Sequence, residues 1–241
     1  MELLLGAAAA VLGLLAVALF TPLGDRVRSW STGRFSSSGL AVHVETDPAK
    51  IDLSYLTFSD SYFFPGGALP QSVPNEPGAG WWRWAHDHGA EDAASTTLLV
   101  TLQALSDAAL VIDVPRLHAE PVDVGAGVLA DQGLGGGAPV TPRVYVIDID
   151  GKDPGVHYSD PGSAEPRAPS FTLAKGDTER LLIKVRVESG AYAWWLELPI
   201  VCNGRAGVHR IDDHGEPFTT VGWRGRDGAT WSGGRWRQWR A

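Results

Sequence analysis

A chain of 241 residues with 44% hydrophobic and 20% charged side chains has the composition of a globular protein and is not disordered overall. Its formal net charge of −8 excludes general affinity for nucleic acid across the whole surface. The single cysteine, Cys202, excludes an intramolecular disulfide and a cysteine-cluster metal site. At a strand end behind Ile200 and Val201 it reads as a small buried apolar residue, not a reactive thiol.

Leu3 to Phe20 is uncharged and overwhelmingly apolar. At about 1.5 Å per residue it spans roughly 27 Å, enough to cross a bilayer. Ala16-Val17-Ala18 has the small-x-small form that a signal peptidase prefers, but only Met1 and Glu2 precede the run and neither is basic. The reading is therefore an uncleaved transmembrane anchor over residues 1–23. Arg26, Arg28 and Arg34 follow it, so the positive-inside rule gives a single-pass protein of the cell membrane with its domain on the cytoplasmic side. Residues 24–39, serine- and glycine-rich from Thr32, form a linker, and residues 40–241 the domain.

The domain alternates polar and apolar residues in short runs. Leu40, Val42 and Val44 open a first strand, and an irregular, proline-punctuated stretch from Pro48 to Pro77 follows, with a strand or turn around Leu53 to Phe58. Thr96 to Ala104 and Leu110 to Val114 predict a hairpin through Ser106-Asp107. Gly125 to Gly137 predicts a long loop, Arg143 to Asp150 a strand, and Asp153 to Pro169 a second loop. The clearest pattern is Glu179 to Val201. Leu181, Ile183, Val185 and Val187 alternate with charges, and Tyr192, Trp194, Leu196, Leu198 and Ile200 resume the period after Ser189-Gly190, which predicts a second hairpin. Strands at Gly207 to Ile211 and Pro217 to Val221 flank a turn at Asp212 to Gly215. About eight strands at this spacing, with no amphipathic helix after the anchor, predict an all-β fold, an antiparallel β-sandwich of immunoglobulin-like general architecture.

Three local patterns bear on chemistry. His86 and His88 would share a face if the segment were extended, and could then seed a zinc site with a third ligand such as His43, His118, His157, His209 or His214. Two histidines at that spacing force no site, however, and no metal or other cofactor is implied. Asp148 to Asp153 fails as a calcium loop, because Lys152, Asp153 and Ser159 occupy positions that need other residues. Asp212 to Glu216 offers acids beside a histidine, which a tight turn also selects. No nucleophile elbow or phosphate loop occurs, and no catalytic residue is assigned.

Ten tryptophans are the strongest compositional signal. Trp81, Trp82, Trp195, Trp231 and Trp236, with Arg235 and Arg237 in the basic C-terminal stretch, are the candidate binding residues, since exposed indoles stack on sugars or anchor protein interfaces. Trp195 falls on the polar face of its strand. The competing reading is that the tryptophans fill a wide core and that Thr230 to Trp236 is a closing hairpin.

Trp84-Ala85 with Gly89, the Asp148-Ile149-Asp150 strand end, Trp194-x-Leu196-Glu197-Leu198, the Asp212 to Thr220 element and the Trp231 to Trp236 segment together resemble an uncharacterised family of high-GC Gram-positive (actinobacterial) proteins with one transmembrane segment before a β-rich domain. The resemblance covers roughly Trp81 to Trp239, and its most specific piece is Asp-Asp-x-Gly-x-Pro-Phe. It implies a membrane-tethered β-domain without an established activity, so it carries over no catalytic residue. Similar members often have cysteines where this chain has Ser189-Gly190-Ala191. The functional expectation is a non-enzymatic binding or scaffolding module with a protein partner. The alternatives are a carbohydrate-binding or carbohydrate-processing domain facing the envelope, and a metal-dependent hydrolase using His86, His88 and the acidic turn.

Overall fold

The computed structural model describes residues 39–48, 50–51, 61–74, 79–131, 142–159 and 167–240. The expected anchor, the linker up to residue 38 and the strand or turn around Leu53 to Phe58 lie outside them. Among the described residues no helix is long and apolar enough to cross a membrane.

The alternating runs become strands of two facing sheets. The smaller sheet runs in the order β1 (Leu40–Glu45), β4 (Ser95–Ala104), β11 (Thr178–Arg186), β8 (Arg143–Asp148) and β9 (Gly155–Ser159). The larger runs β10 (Phe171–Leu173), β5 (Leu110–Ile112), β12 (Ala191–Cys202), β14 (Phe218–Val221), β3 (Glu91–Ala93), β2 (Ser61–Pro65), β7 (Gly127–Asp131), β15 (Gly228–Ser232) and β16 (Arg235–Trp239). Strands β6 (Arg116–Pro121) and β13 (Arg205–Ile211) also pair with β12. Leu98, Val100, Leu102, Leu181, Ile183 and Val185 from one sheet meet Trp194, Leu196, Leu198, Ile200 and Phe218 from the other in a continuous buried core. That interdigitation is what a sandwich requires. Cys202, a free half-buried thiol, packs at its edge.

The two predicted hairpins are corrected. Strand β11 pairs with β4 and β8, whereas β12 pairs with β5, β6, β13 and β14, so the Ser189-Gly190 turn carries the chain from one sheet to the other. The same holds for β4 and β5. Alternation shows that two strands bury one face each, and facing strands of different sheets satisfy it as well as paired neighbours do. The purely antiparallel expectation is corrected too, since β11 with β8, β14 with β3 and β15 with β7 are parallel. The closing hairpin is present, with Trp231 opposite Trp236. Two predicted loops contain strands, β7 and β9.

The largest departure is α1, a helix over Ala79–Asp87 in a domain where no amphipathic helix was expected. Trp81, Trp84, Ala85 and His88 follow helical spacing, and Trp81 and Ala85 are fully buried. The helix stops in a Schellman motif: Ala90 N–H donates to the Ala85 carbonyl at 3.0 Å and Gly89 N–H to the His86 carbonyl at 3.0 Å. Gly89 has φ of 73°, a left-handed conformation in which a side chain would be strained.

Candidate functional site

A cavity of about 310 Å³ opens where the edge strand β1 meets β13 and the turn that follows it. Val42 to Glu45 form one wall, continued by Thr46, Asp47 and Lys50. His209, Arg210 and the Asp212 to Gly215 turn form the other, with Phe218 and Trp82 completing the lining. The turn reading of the acidic segment holds. Gly215 N–H donates to Asp212 Oδ1 at 2.9 Å, Asp213 and Glu216 exchange backbone bonds, and His214 (φ 55°) and Gly215 (φ 108°) take left-handed conformations. The turn is therefore built by backbone geometry and also presents its side chains to the cleft.

The cleft gathers carboxylates, and its cations are held by them. Lys50 Nζ lies 3.1 Å from Glu45, Arg83 3.0 Å from Asp47 and Arg210 2.8 Å from Asp212. These pairs line a wet surface, so each adds little stability. Their effect is to order the rim.

Behind Trp82 lies a second cavity of about 10 Å³, lined by Thr46, Pro48, Tyr62, Trp82, Asp92, Ser95 and Thr97. Its chemistry is set by a directed chain of hydrogen bonds. Trp194 Nε1–H donates to Thr220 Oγ1 at 2.8 Å, the Thr220 and Thr96 hydroxyls lie 2.6 Å apart, and Thr96 bonds the Asp92 carboxyl. When Asp92 is ionised it only accepts, so Thr96 donates to it and Thr220 donates to Thr96. His86 closes the chain, with Nε2 3.4 Å from Asp92 Oδ1. Its Nδ1 lies 2.9 Å from the Trp82 carbonyl, which only accepts, so Nδ1 carries a proton. Burial pushes the Asp92 carboxyl up, opposed by His86 and by the Thr96 bond, while Asp213 adds to the rise. Burial and the neighbouring Asp92 also push Glu91 up. The His86 side chain, 34% exposed, is held by the Trp82 carbonyl through Nδ1 and pairs with Asp92 through Nε2.

The predicted binding residues separate into four groups. Trp81 is corrected to a core residue, fully buried and stacked on Trp84 at 4.6 Å. Trp236 packs 5.9 Å from Trp81 and 5.1 Å from Trp231, and its Nε1–H donates to the Pro70 carbonyl at 2.9 Å. Arg235 and Arg237 are exposed on β16, away from the cleft lining. Trp195 is half-buried: His118 stacks on it at 5.2 Å with planes 3° apart, and the Arg210 guanidinium lies 4.7 Å from its ring centre. Because β6 and β13 flank β12 on opposite sides, both indole faces are covered. His118 Nε2 comes within 3.2 Å of Glu197, but without the alignment of a hydrogen bond. Only Trp82 of the predicted set lines the cleft.

His86 and His88 do not form a ligand pair. On a helix they point away from each other, and His88 Nδ1 donates to the Trp84 carbonyl at 2.7 Å as His86 does to Trp82. Among the described residues no three of His, Cys, Asp and Glu are grouped to hold a metal ion. The Asp148 segment is structural: Asp148 Oδ1 accepts from Gly151 N–H at 2.8 Å, and Asp150 accepts from the backbone of Glu188 and Ser189 at the sheet crossover. Asp92, Thr96, Thr97 and Thr220 were missed by sequence reasoning. Their one signal is a polar Ser-Thr-Thr start on an otherwise apolar strand. No protein-family model, curated protein or solved structure matches this chain.

Proposed function

We propose that the domain is a membrane-tethered, non-enzymatic binding module, immunoglobulin-like only in having two facing sheets, whose ligand seats in the cleft between β1 and the Asp212 to Gly215 turn. The observation that carries this reading is convergence. Glu45, Asp47, Asp212, Asp213 and Trp82 come from separate segments to surround one cavity of about 310 Å³, a size that suits a small ligand or part of a larger one. Binding is favoured over catalysis because the acid–histidine pair is tied to its neighbours, His86 Nδ1 to the Trp82 carbonyl and Asp92 to Thr96. A single-pass anchor over residues 1–23 would tether the domain through β1, the strand that lines the cleft. The actinobacterial resemblance agrees with such a tethered domain.

A carbohydrate ligand is the second reading, favoured by one observation: Trp82 offers a flat apolar wall between hydrogen-bonding carboxylates. One experiment tests both. The full chain is applied to peptide and glycan arrays beside an Asp213→Arg variant, whose side chain is exposed in the turn. The expected result is one ligand class retained by the parent and lost in the variant; array binding that the variant leaves unchanged removes the cleft from the function. A C-terminal reporter fusion on the cytoplasmic side would exclude an envelope glycan.

A further inference from the structure

We propose that the small cavity behind Trp82 is a subsite for a primary ammonium group, a lysyl side chain or an unblocked amine, carried by a ligand seated in the cleft; the inference rests on the cleft being the ligand site. The decisive atom is Thr97 Oγ1. Thr97 is 6% exposed, lines this cavity, and its hydroxyl has no hydrogen-bond partner. An unsatisfied buried hydroxyl costs roughly 1–3 kcal/mol. Beside it stand Asp92 and Ser95, so oxygen acceptors border a space for one small polar atom.

Size and charge select the occupant. A volume of about 10 Å³ holds one nitrogen or oxygen centre and excludes a guanidinium fork or a quaternary ammonium. Asp92, Glu91 and Asp213 repel an anion. An ammonium brings three donors and no acceptor, which suits a carboxylate, the Thr97 hydroxyl and a second hydroxyl from Ser95 or Thr46. Tyr62 and Trp82 supply aromatic walls that attract a cation. Thr46 and Trp82 line both cavities, so an alkyl stem reaches the subsite along Trp82 from a cleft whose mouth carries Glu45 and Asp47.

Binding is coupled to the Asp92 proton. The groups facing Asp92 are His86 from α1, Glu91 on its own strand and Asp213 from the turn. Burial pushes the Asp92 carboxyl up, and an ammonium seated beside it favours the ionised form, so a proton leaves to solvent as the ligand binds. Affinity therefore rises with pH.

The test uses the full chain in detergent micelles and two blocked tripeptides, Gly-Lys-Gly and its Nε-acetyl-lysyl counterpart, titrated calorimetrically at about pH 6 and about pH 8 in buffers of different ionisation enthalpy. The expected result is at least roughly tenfold weaker binding of the acetylated peptide, tighter binding at the higher pH, and heats that reveal proton release. Thr97→Val should keep the melting temperature and lose affinity severalfold, a separation that a merely structural hydroxyl does not give. Equal affinities for the two peptides, both lost in Asp213→Arg, overturn the ammonium subsite and leave the cleft standing. Undiminished affinity in Thr97→Val, or no affinity of the parent for the lysyl peptide, also overturns it.

Discussion

Between the two sheets, the main core takes aliphatic side chains from alternating positions of long strands, Leu98 to Leu102 against Leu196 to Ile200. Beside it, the cluster under α1 takes Tyr62, Phe64, Trp81 and Ala85, with Trp84 and Trp236 packed against them. The first is made by periodicity along single strands; the second depends on ring contacts between a helix, the β2 strand and the last hairpin. The chain from Trp194 through Thr220, Thr96 and Asp92 to His86 joins the two. An aliphatic core spreads its stability over many similar contacts, whereas an aromatic cluster concentrates it in a few large ones. Thr96 and Thr220 are buried at the seam, where each hydroxyl has a partner.

Breaking the main core should have the largest effect. Trp194→Ala removes a fully buried indole and the donor to Thr220, and should cost about 3–5 kcal/mol in denaturant unfolding. Trp81→Ala, also fully buried, should approach that cost while acting locally, with hydrogen exchange accelerating in α1 and β15–β16 and the β4–β11 amides staying protected. Uniform loss of protection would show that the two regions form one cooperative unit. At the seam, Thr220→Val should cost roughly 1–3 kcal/mol by stranding Trp194 Nε1 and Thr96, while Thr97→Val, which strands nothing, should be neutral or stabilising.

The seam should also respond to pH. Carboxyls raised by folding hold protons more tightly in the folded state. The stability they contribute is complete below their unfolded values, 3.8 for Asp92 and 4.5 for Glu91, and is lost as pH rises through the raised ones. Melting temperatures should therefore fall across that window, and Asp92→Asn should flatten the fall. An unchanged slope would place the dependence elsewhere. The smallest effects belong to Arg235→Ala and Arg237→Ala, exposed on β16, where thermal unfolding should report less than about 0.5 kcal/mol.

Legibility in the sequence followed the range of the interactions. Strands β1, β4, β8, β11, β12 and β14 were visible because a half-buried strand writes its burial into every second residue. Helix α1 was not, because its short apolar stripe of Trp81, Trp84 and Ala85 is interrupted by Trp82 and by two histidines that suggest a metal pair. Trp195 was placed on the outer face by parity, yet parity could not foresee that His118 and Arg210 would cover both sides of its ring. The cleft escaped detection because its walls, Glu45 and Asp213, lie far apart in the chain. In isolation each belongs to an ordinary strand end or turn.

The sequence by itself determined that this chain builds a β-sandwich core, since alternation fixes which side chains must leave water. It also determined the tight turn at Asp212 to Gly215, whose conformation depends on its own backbone and on the Asp212 carboxylate that accepts from Gly215. Strand partners, the two sheet crossovers, the fate of the tryptophans and the cavities behind Trp82 were decided only by tertiary structure. Periodicity specifies a buried face but not what it is buried against, and a site made by convergence exists only once the segments have been brought together.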